Sequence, residues 1–107
     1  MLVRGGAVLN DATMEDALQV GLPELVHRVM GNGNNIAGTC LVELSEEALQ
    51  AMEEADVILA KGQANFETLR KCGKNIYYIF MCKCDMFARE FQVPRFTGML
   101  INDMQCI

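Results

Sequence analysis

Two short stretches of this chain combine residue types that do chemistry together. Lys61-Gly62-Gln63-Ala64-Asn65-Phe66-Glu67 follows the apolar run Val57-Ile58-Leu59-Ala60 and leads into a helical pattern. A lysine ending a buried strand, then a glycine turn, then a helix N-terminus brings a cation and unpaired backbone N–H groups to one place, which suits an anion such as phosphate. The competing reading is an ordinary strand-to-helix turn whose lysine is exposed for solubility. The stretch is not a Walker loop, because it holds one glycine and no G-x-x-x-x-G-K-[ST]. The second stretch is Asn10-Asp11, on the loop after Leu2-Val3-Arg4. A carboxylate beside an amide suits a hard divalent cation that holds a phosphoryl group. Asp11 is equally readable as an Asx-turn residue leading into a helix capped by Thr13.

The elements that position these residues alternate between strand and helix. Leu2-Val3-Arg4 is a short strand ended by Gly5-Gly6, and Thr13-Met14-Glu15-Asp16 reads as a capping box that starts a helix running to about Val20. Gly21 stops it, and Pro23 opens another helix through Glu24, Leu25, Val26, Val29 and Met30. Gly31-Asn32-Gly33-Asn34-Asn35 favours positive φ and predicts a tight loop. Ser45 caps a helix whose stripe is Ala48, Leu49, Met52 and Ala55. The strand Val57 to Ala60, a helix from Asn65 to Cys72 closed by Gly73, and the strand Ile76 to Met81 follow. A helix from about Asp85 to Phe91 is broken at Val93-Pro94, and Gly98 to Asn102 is a last strand. Continuous rather than alternating hydrophobicity in the strands predicts cover on both faces, hence a mostly parallel sheet between helix layers in a Rossmann-like α/β order. In such sheets ligands gather beyond the carboxyl ends of the strands, where the Lys61 loop and the Asn10-Asp11 loop both project if their strands are parallel.

Composition narrows the function classes. A chain of 107 residues, 51% apolar and 21% charged, fits one globular domain over 1–107. The net charge is −5 and no basic run exceeds Arg70-Lys71, which argues against a nucleic-acid groove. The apolar run Ile76 to Cys82 is too short to span a bilayer, and the start of the chain lacks the pattern of a signal peptide, so a cytoplasmic protein is expected. Five cysteines, Cys40, Cys72, Cys82, Cys84 and Cys106, show no paired spacing and suit a reducing compartment. Cys82-Lys83-Cys84 offers two thiolates to a soft metal, but no second cluster completes four ligands, and buried thiols are the better reading. His27, between Val26 and Arg28 on a helix, has a surface or capping role, and the eight methionines are core filler. No G-x-G-x-x-G supports a dinucleotide site.

Arg4-Gly5-Gly6-Ala7-Val8-Leu9-Asn10-Asp11-Ala12-Thr13-Met14-Glu15-Asp16-Ala17, then Ala55 to Leu69 with Lys61-Gly62-Gln63-Ala64-Asn65-Phe66-Glu67 at its centre, then Lys83-Cys84, closely resemble the damage-control phosphatase family. These are metal-dependent phosphatases long catalogued as a domain of unknown function, with relatives fused behind pantothenate kinases. The resemblance covers nearly the whole chain, and two long motifs in order make it specific. It implies a three-layer α/β/α Rossmann-like region that hydrolyses phosphomonoesters of small metabolites, such as sugar phosphates or phosphopantetheine-type compounds, with a divalent metal such as Mn, Co, Ni or Mg. By the same resemblance Asp11 is a metal ligand with Asn10 as a second candidate, and Lys61 lies at the substrate phosphate with Gly62 and Asn65 beside it. Asp11 and Lys61 are thereby the expected catalytic pair, and Lys83 is a candidate second cation. Metal and lysine together would neutralise charge on the transferring phosphoryl oxygens.

One departure is as informative as the match. Family members carry an N-terminal helical region and an upstream Asp-Asn pair that supplies further metal ligands, and no such pair precedes Arg4. The chain therefore reads as a truncated C-terminal part of a larger domain, with little or no phosphatase activity alone. An uncovered sheet edge and apolar face would favour a homo-oligomer. The alternative is a non-catalytic, self-associating α/β module that binds phosphate or a phosphometabolite.

Overall fold

The computed structural model describes residues 1–104, so Cys106 lies outside the described residues. The chain divides into two compact units, Met1–Glu54 and Ala55–Ile107.

The first unit is built on two very short parallel strands, β1 (Leu2–Val3) and β2 (Met30–Gly31), paired Leu2 to Met30 and Val3 to Gly31. Between them lie α1 (Met14–Gln19) and α2 (Leu22–Leu25). Asp16 Oδ2 accepts from the Thr13 backbone N–H at 2.9 Å and from its hydroxyl at 3.1 Å, so the expected capping residues do hold the start of α1. The helix expected from Pro23 through Met30 ends instead at Leu25. Val26 is already extended, and Met30 is buried as a strand residue. Four residues make one turn, and the β-branched Val26 and Val29 fit extended backbone better than a continued helix. His27 consequently lies outside any helix and is exposed.

The loops after β1 and β2 interlock. The Gly5 N–H donates to Asn34 C=O at 2.8 Å and to Asn32 Oδ1 at 2.9 Å. A Cβ on Gly5 would stand 2.5 Å from Asn34 N, closer than any real contact, so only glycine fits there. Beyond this crossing, the Ser45 hydroxyl accepts from Ala48 N–H at 3.2 Å and caps α3 (Glu46–Glu54), which buries Ala48 and Met52 as the apolar stripe predicts.

The second unit is a three-stranded sheet in the order β3 (Ile58–Lys61), β4 (Ile76–Met81), β5 (Gly98–Asn102). β3 and β4 are parallel and connected through α4 (Gln63–Leu69), whereas β5 returns antiparallel after α5 (Asp85–Phe91). Ile76, Tyr78 and Phe80 alternate onto one face of β4 and meet Phe66 and Leu69 of α4 and Phe87 of α5, all buried. Phe66 is the hub of this core. It stacks on Phe80 at 4.7 Å and meets Tyr78 and Phe87 edge-on at 5.2 and 5.3 Å. The opposite face differs from the expected two-sided cover: Leu59, Ile79, Met81 and Leu100 are 68, 43, 47 and 63% exposed. Continuous hydrophobicity thus marks a sheet with an apolar second face, and the described residues leave that face open.

Candidate functional site

In the first unit, Arg4 closes the loop that carries Asn10 and Asp11. Its N–H donates to Ala12 C=O at 2.9 Å and the residue bridges to Thr13, while the Asp11 N–H turns back onto Val8 C=O at 3.1 Å. The Arg4 side chain runs beneath this loop, only 9% exposed, and its Nε donates to Asp11 Oδ2 at 2.9 Å. A buried guanidinium requires a counter-charge, so Asp11 has a structural duty that neither the ligand reading nor the Asx-turn reading includes. Its carboxylate accepts from Arg4 rather than from a backbone N–H. Arg4, a charged residue ending an apolar strand seven positions before an aspartate, was the available signal.

A divalent ion needs several oxygen ligands. Among the described residues no three His, Cys, Asp or Glu side chains come together as a metal-binding group. Asp11 and the exposed Asn10 offer one carboxylate and one amide, and one carboxylate oxygen is committed to Arg4. These residues do not by themselves fit a divalent cation. The Cys82-Lys83-Cys84 run is likewise no metal pair. Cys82 has no exposed surface and burial pushes its thiol pKa up, while Cys84 Sγ accepts from Phe87 N–H at 3.5 Å and caps α5.

In the second unit, Lys61 ends β3 at the carboxyl end of the parallel pair, as expected. It borders an open groove of about 550 Å³ together with Gly62, Gln63, Ile79, Phe80, Met81, Lys83 and Gly98. Gly62 turns the chain with φ 104°, a conformation that glycine adopts without strain. Its N–H is not available to an anion, because it donates to Ile79 C=O at 2.9 Å. Asn65 stands in α4 with Nδ2 donating to Lys61 C=O at 2.7 Å, which ties the lysine's backbone to the helix. α4 has seven residues, so its dipole is short and the cationic character rests on side chains. Among the described residues no carboxylate lies within ion-pair distance of Lys61 or Lys83. Lys61, Gly62 and Asn65 are thus brought together in the second unit, whereas Asn10 and Asp11 belong to the first.

A cavity of about 590 Å³ lies at the other end of the same sheet, bordered by Phe66, Arg70, Glu90 and Asp103 among others. Its two carboxylates are already engaged. Arg70 donates to both carboxylate oxygens of Glu90, at 2.6 and 3.1 Å, and lies 4.6 Å over the Phe66 ring. Asp103 accepts from the Lys71 N–H. The Arg70 hydrogen bond holds the Glu90 pKa below the usual carboxylate value, against the effect of burial. Beside them the Tyr78 hydroxyl is fully buried without a hydrogen-bond partner among the described residues, and burial pushes its pKa far up.

The chain is similar to known proteins over nearly its whole length. Residues 1–98 match the model of the damage-control phosphatase ARMT1-like domain. A damage-control phosphatase of Pyrococcus horikoshii is 43% identical over 91 residues, which is 84% of this chain and 31% of that protein. A damage-control phosphatase of Archaeoglobus fulgidus is 38% identical over 93 residues, 86% of this chain and 32% of its own. The crystal structure of a DUF89 family protein from Pyrococcus horikoshii superposes with a TM-score of 0.87 at 38% identity, covering 95% of this chain and 36% of that one. The chain spans about a third of the length of these relatives. No helix among the described residues is long and apolar enough to cross a membrane. On the match of residues 1–98, with this likeness in sequence and fold, the chain belongs to the damage-control phosphatase ARMT1-like family.

Proposed function

We propose that this chain carries the phosphate-holding side of a damage-control phosphatase site and takes phosphomonoesters of small metabolites, sugar phosphates or phosphopantetheine-type compounds. The observation that supports this is Lys61, an exposed ammonium without a carboxylate partner among the described residues, fixed by its backbone at the end of β3 beside a groove. Lys61 binds the phosphoryl oxygens and neutralises the charge they carry as the ester bond breaks. Gly62 keeps the approach unobstructed, since nothing lies within 4 Å of where its Cβ would be, and Asn65 positions Lys61 through its carbonyl. Asp11, with Asn10, is the proposed protein contribution toward Mn, Co, Ni or Mg. Because these two residues cannot complete an ion's shell, turnover by the chain alone is expected to be negligible. Free thiols at Cys40, Cys72, Cys82 and Cys84 support a reducing, cytoplasmic setting.

The test pairs binding with turnover. Inorganic phosphate should bind the chain, and Lys61→Ala should weaken that binding, while hydrolysis of sugar phosphates stays at background with each metal added. Metal-stimulated hydrolysis by the chain itself would refute the inactivity. A chain that does not bind phosphate would refute the phosphate-holding role.

The exposed apolar face of Leu59, Ile79, Met81 and Leu100 supports a second reading, a self-associating module that binds phosphate without catalysis. It expects a concentration-dependent dimer in sedimentation, lost in Leu59→Lys.

A further inference from the structure

We infer that the cavity at the amino end of the parallel pair β3 and β4 is a binding site for a neutral aromatic molecule, whose hydrogen-bond acceptor, such as a carbonyl oxygen, is held by the Tyr78 hydroxyl. The site lies apart from the Lys61 groove and stands independently of what that groove takes.

The cavity is built from three segments that end together. Phe66 and Arg70 come from α4 and its C-cap, Glu90 and Phe91 from the last turn of α5, and Ile101 and Asp103 from the end of β5. Its volume of about 590 Å³ falls in the range of small-molecule sites. A single water fills only about 30 Å³ of it.

Tyr78 stands at its base. In the sheet Tyr78 pairs with Ile101, and side chains of opposed residues share a face. The Tyr78 ring also meets Phe66 edge-on at 5.2 Å, and both of these neighbours border the cavity. The tyrosine has no exposed surface, yet its hydroxyl has no hydrogen-bond partner among the described residues. Arg70 Nε, on the cavity wall, is a second buried donor in the same condition. A core position that needs only volume is filled at lower cost by phenylalanine, because a buried hydroxyl without a partner loses its hydration for nothing. Burial and the nearby Asp103 carboxylate keep the phenol protonated, so Tyr78 offers an O–H and calls for an acceptor.

The other groups decide what carries that acceptor. Arg70 is neutralised by Glu90 through two hydrogen bonds, and the Asp103 carboxylate accepts from the N–H of Lys71, whose own charge balances it. An ionised ligand would bring a charge with no partner into a partly buried site, and a neutral one does not. Phe66, Phe91 and Ile101 supply apolar walls, two of them aromatic, which favour a ring over a sugar or another hydroxyl-rich body.

The test is a ¹H–¹⁵N NMR titration of the chain with benzamide, and with benzoate, benzylamine and toluene as its anionic, cationic and acceptor-free counterparts. Benzamide is expected to bind with a dissociation constant of about 1 mM and to shift signals of residues 66–73 and 101–104. Benzoate, protonated benzylamine and toluene should each bind more weakly. Tyr78→Phe, which keeps the ring, should weaken benzamide about fivefold and leave toluene unchanged, a difference that a merely structural role would not produce. Ile101→Phe adds volume at the wall and should weaken both. Absence of benzamide shifts at these residues overturns the site. Toluene that binds as well as benzamide, or Tyr78→Phe that binds benzamide like the wild type, reduces the cavity to an apolar hollow and overturns the role of the hydroxyl. Benzoate or benzylamine that binds best overturns the neutral class of ligand.

Discussion

Asp11 and Lys61 are both candidate functional residues, yet they are built into their units in opposite ways. Asp11 neutralises a guanidinium that is only 9% exposed and closes the loop on which it sits. Lys61 is held by its backbone, through Asn65, while its ammonium makes no ion pair among the described residues. The contrast shows how a site residue can be tied to the fold. One charge is part of the fold's electrostatic balance, and the other is presented by the fold without belonging to that balance. Loss of function after mutation therefore means different things at the two positions.

The largest effect should come from Asp11→Ala. It leaves the Arg4 guanidinium buried without this counter-charge, which costs about 2–3 kcal/mol, toward the lower end for a broken buried pair because Asp11 itself is 37% exposed. Urea denaturation measures the loss, and hydrogen exchange should rise first in residues 4–13. An Arg4→Met, Asp11→Leu double variant should recover part of that stability, since it removes the buried charge as well as its partner. If Asp11→Ala were as stable as the wild type, the claimed difference between the two residues would disappear.

Next in size is the Arg70–Glu90 pair of the second unit, where bidentate geometry over the Phe66 ring lifts a partly exposed ion pair above the usual surface value. Glu90→Gln should cost about 1 kcal/mol. The Glu90 pKa is lowered by its hydrogen bond to Arg70, so the pair's stabilisation is fully present above the unfolded-state value near 4.5 and is lost as pH falls through the folded value. Wild-type stability should therefore fall more steeply than that of Glu90→Gln as the pH drops below about 4.5. Parallel curves for the two proteins would show that Glu90 is not linked in this way.

Tyr78→Phe sharpens the same point from inside the core. The hydroxyl is buried without a partner among the described residues, so its removal returns no lost hydrogen bond and should leave stability unchanged or raise it by up to about 1 kcal/mol. Destabilisation above that size, read by thermal unfolding, would mean that the hydroxyl is satisfied in solution.

These local interactions divide what the sequence shows from what it does not. Strand β4, helix α5 and the ends of β5 stand where apolar runs, Pro94 and Gly98 predict, because patterns of short range decide them. The Asp16 and Ser45 caps were legible for the same reason. The helix expected through Met30 failed because pairing of Met30 with Leu2, from the far end of the first unit, outweighed weak local preference. Lys61 and Gly62 were readable as a site from their place after a strand, but the engagement of the Gly62 N–H by Ile79 depends on a neighbouring strand and was not. Arg4 as the partner of Asp11 left only a faint signal, a charge at the end of an apolar strand, and Gln63 as the partner of the Lys83 N–H is a side-chain contact across loops that no spacing rule encodes.

The smallest effect on stability is expected at Lys61. Its ammonium is exposed, so Lys61→Ala should shift the unfolding free energy by less than about 0.5 kcal/mol while phosphate binding falls. The sign carries information too. Two ammonium groups without a carboxylate partner among the described residues border one groove, so removing either one relieves repulsion and the variant should be neutral or slightly more stable at low salt, with the gain fading as salt screens the charges. Binding that weakens while stability holds is the signature of a side chain presented for a ligand. The same experiment on Asp11 would lower both together, and a loss of stability in Lys61→Ala comparable to that of Asp11→Ala would show that Lys61, too, is part of the fold.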